Sequence, residues 1–428
     1  MKKLSVFIAS FDGILTRHSG VGSATIAYIR TIPEIRKALL LNRSIDLTFY
    51  ALTNKYDASA WSRNLEIEKE VRDICHSTGG KLLTCLNNSS GDTHFGNIQN
   101  WTCVSASAAT QAVQVLENNE FDYCIFMAHD TPYAMAPIYL VKQNFTKTKI
   151  IGTFTPHGTS LIHEKGEYNL DRIKWESEAF QEFNKNSNLF VCHINNFMKN
   201  HLHIDYGVNQ ESLLPMLNGI DFKELIKYKK QNIVKIFNKY NIPTNKPLIV
   251  TYGRGASYKG YDIFIEAVKK LKLPFHYVLQ AVPYNPIDDI ELKLKDATNG
   301  MNNITTIFEW SFDLPRMLLQ WDKTFLTCLL SRREPGALIP AEIRYNAKSL
   351  CLVSDQDGLP CQVTDGVDGF ITEIDSYEKV ADKIKHIYQL PKDKQELIKR
   401  TGLNLIKENY NMRNNFSASF NNLVNKLI

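Results

Sequence analysis

No apolar run in this 428-residue chain approaches the ~20 residues that a membrane-spanning helix needs, so no transmembrane helix is expected. The opening residues, Met1-Lys2-Lys3-Leu4-Ser5-Val6-Phe7-Ile8-Ala9-Ser10, resemble a secretory leader, but the apolar stretch is short and gives way to Phe11-Asp12-Gly13. A buried first strand ending in a loop is the better reading. The eight cysteines stand singly, with no C-x-x-C pair, and several lie inside apolar runs, such as Cys124 in Tyr123-Cys124-Ile125-Phe126. They read as reduced core residues of a cytoplasmic protein. The excess of basic residues is small: a net charge of +5 suits anionic ligands or a lipid surface and falls far short of a nucleic-acid signature. A G-x-G-x-x-G turn directly after the first strand is missing too. The nearest pattern, Gly20-Val21-Gly22-Ser23-Ala24-Thr25, lacks the third glycine and starts well after that strand, which argues against an NAD-dependent dehydrogenase. No internal repeat and no low-complexity tract is evident.

What the chain has is alternation. Apolar, strand-like runs at Ser5–Ala9, Asp46–Leu52, Tyr123–Met127, Lys149–Phe154 and Leu189–Cys192 are separated by helical stretches, including Gly22–Ile32 and Ser107–Asn118. After Asn218-Gly219-Ile220-Asp221 comes a Lys/Asn-rich helical segment, and then Pro247–Arg254, a strand running into a Gly turn. A second series follows at His276–Gln280, Thr305–Phe308, Lys323–Leu330 and Leu350–Val353. This is an α/β pattern of two Rossmann-like domains facing a cleft. The boundaries are placed at 1–215 and 216–410, with an amphipathic helix at about 411–428 docking back on the first domain.

The chemistry concentrates near the three-quarter mark. Glu334-Pro335-Gly336-Ala337-Leu338-Ile339-Pro340-Ala341-Glu342 carries two carboxylates with seven residues between them, after the strand-like Thr324–Leu330. An acid after a strand, a Gly-containing turn and a second acid on the next helix suit polyols, one gripping sugar hydroxyls and the other a ribose diol. Upstream, Arg254 and Lys259 stand among Gly253, Gly255 and Gly260 at the end of a strand, where open α/β sheets bind ligands. Taken singly, these are solvated cations and surface acids; taken together, they make a site for an anionic sugar derivative. Gly336, Ala337 and Leu338 are read as opening the helix after Pro335, with N–H groups pointing at a donor phosphate or sugar.

These residues, in order, resemble a retaining GT-B glycosyltransferase of the family 4 (glycosyl transferases group 1) type. Ser19-Gly20-Val21-Gly22 resembles its N-terminal Gly-rich loop, and Thr155-Pro156-His157-Gly158 its T-x-H strand end. Asn218-Gly219-Ile220-Asp221 resembles NGVD at the domain crossover, Gly253-Arg254 through Lys259-Gly260 resembles GR-x-x-x-x-KG, and Glu334 to Glu342 is the E-x7-E element. The resemblance implies transfer of a hexose from a nucleoside-diphosphate sugar, expected to be a UDP sugar, to an acceptor hydroxyl with retention. Arg254, Lys259, Glu334 and His157 would be the catalytic set. Gly22, Gly253, Gly336, Ala337, Leu338 and Glu342 would bind the donor, and Arg17, His18, Gly20 and His129 would face the acceptor. Negative charge growing on the departing diphosphate would be met by built-in cations, so no metal and no cofactor beyond the donor is expected. The leaving phosphate itself would deprotonate the acceptor.

Several residues depart from the family pattern. Gly336 and Ala337 stand where Phe-Gly is usual, which removes an aromatic wall. Asp357-Gly358-Leu359-Pro360-Cys361 replaces Gly-Gly-x-x-Glu, so Cys361 stands for a carboxylate; Ala347 and Ser349 replace Gly and Pro. Asp355-Gln356-Asp357 forms a D-x-D triplet, read as a loop on the donor side and not as a metal site. Two alternatives stay open: a catalytically inactive homologue acting as a binding subunit, and a sugar-nucleotide epimerase of the same architecture, although no acid/base set for C2 chemistry is evident. The acceptor is left open among glycans, lipid-linked intermediates, natural products and protein side chains. The modest basic cluster Arg30, Arg36, Lys37 and Arg43 allows peripheral membrane contact.

Overall fold

The computed structural model describes residues 1–16, 19–55, 63–87, 96–166, 168–283 and 289–428. The chain forms two units, Met1–Asp221 with Met412–Ile428, and Phe222–Asn411.

The first unit is built on seven strands: β1 (Lys2–Ala9), β2 (Ile45–Asn54), β3 (Leu82–Cys85), β4 (Tyr123–His129), β5 (Lys149–Thr155), β6 (Leu189–His193) and β7 (Leu213–Pro215). They pair in the order β3-β2-β1-β4-β5-β6-β7, every pair parallel. The central strands are buried on both faces, which is why β1, β4 and β5 are almost wholly apolar. The chain turns back across the sheet between β1 and β4, so the carboxyl ends of these two neighbours flank the switch point where doubly wound sheets bind ligands. The helix Gly20–Arg43, capped by Ser19, runs through Pro33 and so extends well past the Gly22–Ile32 read from sequence. Its buried stripe continues at Ile35 and Leu39, and that packing outweighs the hydrogen bond Pro33 cannot make.

The last helix, Met412–Leu427, belongs to this first unit. Phe416, Phe420, Leu423 and Val424 are buried, and Phe416 stacks on Tyr28 of the Gly20–Arg43 helix at 4.6 Å between centroids. Arg413 grips both carboxylate oxygens of Asp221 at 2.9 Å, which ties the helix to the Asn218–Asp221 turn. A bidentate Arg–carboxylate pair with little exposure fixes orientation as well as contact.

The second unit repeats the plan with β8 (Leu248–Gly255), β9 (His276–Pro283), β10 (Ile304–Ile307), β11 (Thr324–Leu329), β12 (Leu350–Ser354) and β13 (Phe370–Thr372). The order is β10-β9-β8-β11-β12-β13, again parallel throughout, with the switch point between β8 and β11. Among the described residues no helix is long and apolar enough to cross a membrane. All eight cysteines are free, and burial pushes the thiols of Cys85, Cys124 and Cys192 up to about 12, so they pack as small apolar groups.

Candidate functional site

In the second unit the carboxyl ends of β8, β11 and β12 bring three segments together. β8 runs on through Gly253-Arg254-Gly255, and a short 3-10 turn at Ser257–Lys259 leads into the helix Tyr261–Lys269. Gly253 has φ 150, and the Tyr261 hydroxyl crosses back to donate to the Arg254 carbonyl at 3.0 Å. Gly260 has φ 71, and a Cβ there would stand 1.9 Å from the Leu330 carbonyl oxygen, so the turn touches the end of β11 backbone to backbone. Only glycine fits. Arg332 reinforces the same junction: its N–H donates to the Tyr258 carbonyl at 2.7 Å, and its guanidinium grips Asp262.

This close approach sets Lys259 against Glu334. The ammonium pairs with Glu334 Oε2, both side chains being only 14% and 12% exposed, and Lys259 also lies 5.2 Å from the Tyr258 ring. Arg254 is exposed on the same loop. Glu342 is half-buried on the helix that follows. Burial first, and then the neighbouring Glu342 carboxylate, push the Tyr252 hydroxyl well above its ordinary value, which puts Glu342 close to the end of β8 as well.

One expectation is corrected. The helix spans Ile339–Asn346, so Gly336, Ala337 and Leu338 precede it and do not open it. The early-helix proline is Pro340, not Pro335. The N–H groups of Ala341 and Glu342 turn back on the Leu338 carbonyl, both at 3.0 Å, and Pro340 has none. The first turn of the helix therefore lies beyond residues 336–338. These residues form an irregular, half-exposed link, with the Ala337 carbonyl held by Gln362 Nε2 at 2.8 Å. Ala347 closes the helix at φ 52, a left-handed position where glycine would be unstrained.

In the first unit, His129 ends β4 and registers beside Thr155 at the end of β5, with His157 two residues on. His129 Nδ1 and His157 Nε2 are 3.2 Å apart, and the His129 ring lies 5.4 Å from that of Tyr28. His129 is fully buried, so it presents no surface to an acceptor; its partner is His157, itself 9% exposed. Burial drives both imidazoles toward the neutral form, His157 down to about 4 and His129 well below its ordinary value. The His157–Gly158 turn rests on a buried network. Arg172 donates to the Gly158 carbonyl at 3.1 Å and pairs with Glu176, whose other oxygen accepts the Ser160 N–H at 3.0 Å.

At the end of β1 stands Asp12, whose role no sequence pattern marks. Fully buried, it accepts from the Gly13 N–H, the Thr16 hydroxyl, and the N–H and hydroxyl of Ser19. Gly22 is required for this: a Cβ there would fall 2.5 Å from the Asp12 carboxylate. Gly22 thus serves the loop's own packing, whereas Gly20 is exposed with nothing within 4 Å of where its Cβ would be. Arg17 and His18 lie outside the described residues. Among the described residues no cluster of three His, Cys, Asp or Glu could hold a metal. Within the D-x-D triplet, Asp357 accepts the Glu334 N–H at 2.8 Å.

Residues 232–402, most of the second unit, match the family described as glycosyl transferases group 1. Over these residues the chain is similar to the group 1 glycosyltransferases. Similar solved structures span the whole chain. A glycosyltransferase from Rickettsia africae superposes with a TM-score of 0.71 at 16% identity, covering 100% of this chain and 99% of that one. A sucrose-phosphate synthase from Thermosynechococcus elongatus gives 0.71 at 13% identity, covering 99% and 98%. Anabaena HepE, in complex with UDP and glucose, gives 0.69 at 15% identity, covering 98% and 99%. At such identities the likeness establishes the fold. No curated protein matches the sequence. The group 1 match contains Arg254, Lys259, Glu334 and Glu342.

Proposed function

We propose that the protein transfers a hexose from a nucleoside-diphosphate sugar, with UDP as the expected carrier, to an acceptor hydroxyl with retention and without a metal. The observation that carries this reading is the Lys259–Glu334 pair beside Arg254 at the β8/β11 switch point, inside the segment that matches group 1. Arg254 and Lys259 supply fixed positive charge to the diphosphate as C1–O breaks. Glu334, held by Lys259, accepts from hydroxyls of the sugar, and Glu342 accepts from the ribose. Arg17, His18 and Gly20 are the candidates for acceptor contacts, and His157, neutral at pH 7, is the first unit's candidate catalytic residue. The leaving phosphate takes the acceptor proton. HepE in complex with UDP-glucose supports a donor of this class.

The test is a panel of UDP-, GDP- and ADP-sugars screened for stabilisation of the protein and for release of nucleoside diphosphate, with and without EDTA. A ligand at ~100-fold saturation stabilises by ~2.7 kcal/mol. Binding and EDTA-resistant turnover with one base are expected. Binding without hydrolysis or transfer would point to an inactive binding subunit. Strict dependence on Mn²⁺ or Mg²⁺ would remove the metal-free assignment, and no binding at all would remove the function.

A further inference from the structure

Asp357 sits at the turn after β12 with φ 48, in the left-handed region that a residue with a Cβ enters only at a cost. Two contacts account for the conformation. Its carboxylate accepts the Glu334 N–H at 2.8 Å, and the next residue, Gly358, donates its own N–H to the Glu334 carbonyl at 3.0 Å. The backbone of Glu334 is therefore held on both its polar groups by one dipeptide from a different strand end. Gly358 must be glycine for this: a Cβ would stand 2.2 Å from the Pro335 carbonyl oxygen. A third tie runs alongside, the Ser354 hydroxyl donating to the Ser331 carbonyl at 2.5 Å. The irregular link from Glu334 to Leu338 has no helix or strand of its own to fix it, so these contacts from the β12 turn stand in for one.

We infer that Asp357 is a positioning residue: it clamps the backbone of Glu334 so that the Glu334 carboxylate faces Lys259 and the donor sugar. This rests on the donor site proposed above. A charged acceptor on a backbone N–H is among the stronger hydrogen bonds available, and the strain at Asp357 is the kind of local cost found where a site needs a group held still. The carboxylate thus acts through Glu334, in a triplet that by spacing alone suggests a metal.

Glycine at this position separates the clamp from the turn, since it adopts φ 48 without strain while lacking the carboxylate. Asp357→Gly should lower kcat about tenfold and leave the KM for the donor within about threefold, because diphosphate and ribose are held elsewhere. Asp357→Asn keeps an acceptor oxygen and tolerates the left-handed backbone, so it should restore kcat to within about threefold of the wild type. A second readout needs no activity: amide exchange at Glu334, resolved by fragmentation mass spectrometry, should be protected in the wild type and in Asp357→Asn and should speed up at least tenfold in Asp357→Gly. Unchanged exchange in Asp357→Gly overturns the clamp, whether or not the protein turns over a nucleotide sugar. Faster exchange with unchanged kcat in an active enzyme overturns its bearing on catalysis. An inactive wild type that binds no nucleotide sugar overturns the proposed function instead, and leaves the clamp to be decided by exchange.

Discussion

Lys259→Ala is expected to destabilise the second unit and to weaken nucleoside-diphosphate binding, for reasons the Lys259–Glu334 contact separates. Glu334 keeps only 12% of its side-chain surface and leans on Lys259, which keeps 14%. Removing the lysine leaves a largely desolvated carboxylate without its counter-charge. For a fully buried pair that costs ~3–5 kcal/mol. Residual exposure here lets water take part of the lost role, so about 1.5–3 kcal/mol is the better figure, in line with hydrogen bonds to charged groups. Glu334→Gln alone leaves the ammonium facing an amide oxygen and should cost less. The double variant Lys259→Ala/Glu334→Gln then removes the stranded charge, and its loss should fall short of the sum of the two singles by about 1 kcal/mol or more. Stability should be read by native-state hydrogen exchange at β8 and β11, because a chain of two units need not unfold in a single step. Binding behaves differently. If Lys259 faces the diphosphate, the double variant regains stability but not affinity, and both lysine variants bind the nucleotide roughly 10- to 100-fold more weakly. Strict additivity in stability would show that the pair is not coupled, and wild-type nucleotide affinity in Lys259→Ala would remove it from the donor site.

Three further outcomes follow from the same geometry. Glu342→Gln should chiefly raise the KM for the donor and Glu334→Gln chiefly lower kcat, each by about ten- to a hundredfold, because a ribose diol is held alike before and during bond breaking while the sugar gains charge; steady-state kinetics with NMR of the product anomer checks both, and a β-linked product from an α-donor ends the retaining assignment. The first unit should lose stability as pH falls from about 6.5 to about 4, because the folded His157 resists the proton that the unfolded chain takes up, with His129 acting in the same direction; His157→Gln should flatten that slope, and an unchanged slope counts against a buried neutral pair. Gly260→Ala should cost on the order of 3 kcal/mol or more through its positive φ and the Leu330 carbonyl, whereas Gly20→Ala should be nearly silent in stability, so lost turnover in Gly20→Ala alone would mark that backbone as a ligand contact.

The strands legible in the sequence are those whose burial is decided locally. β1, β2, β4, β5, β6, β8, β9, β11 and β12 lie inside their sheets, and with both faces covered they appear as largely apolar runs; the edge strand β10 is also legible, at Thr305–Phe308. The three strands that escaped notice, Leu82–Cys85, Leu213–Pro215 and Phe370–Thr372, are all sheet edges of three or four residues. An edge strand needs neither length nor a continuous apolar run, so nothing in Leu-Leu-Thr-Cys distinguishes it from a loop. Pro33 shows the opposite limit. A proline in a helical pattern signals an end, yet the stripe beyond it has a partner in the fold and the helix continues.

The same division runs through the site. Arg254, Lys259, Glu334 and Glu342 are visible because strand ends and glycine turns frame them, and the sheet order brings β8 and β11 side by side. The start of the helix after Glu334 was misplaced because two prolines five residues apart both suit a first turn, and the choice between them is made elsewhere in the chain. Asp357 and Gly358, more than twenty residues downstream, take both backbone groups of Glu334 and so keep that residue out of the helix; the helix then begins only where Pro340 allows. His129 illustrates the point from the other side: a polar residue at a strand end reads as a surface for ligand, but the register of β4 against β5 sets it beside Thr155 and turns its ring onto His157. In both cases the first layer of a site follows from local pattern, and the layer that aims it follows from contacts between distant strand ends, which a single sequence does not encode in any one place.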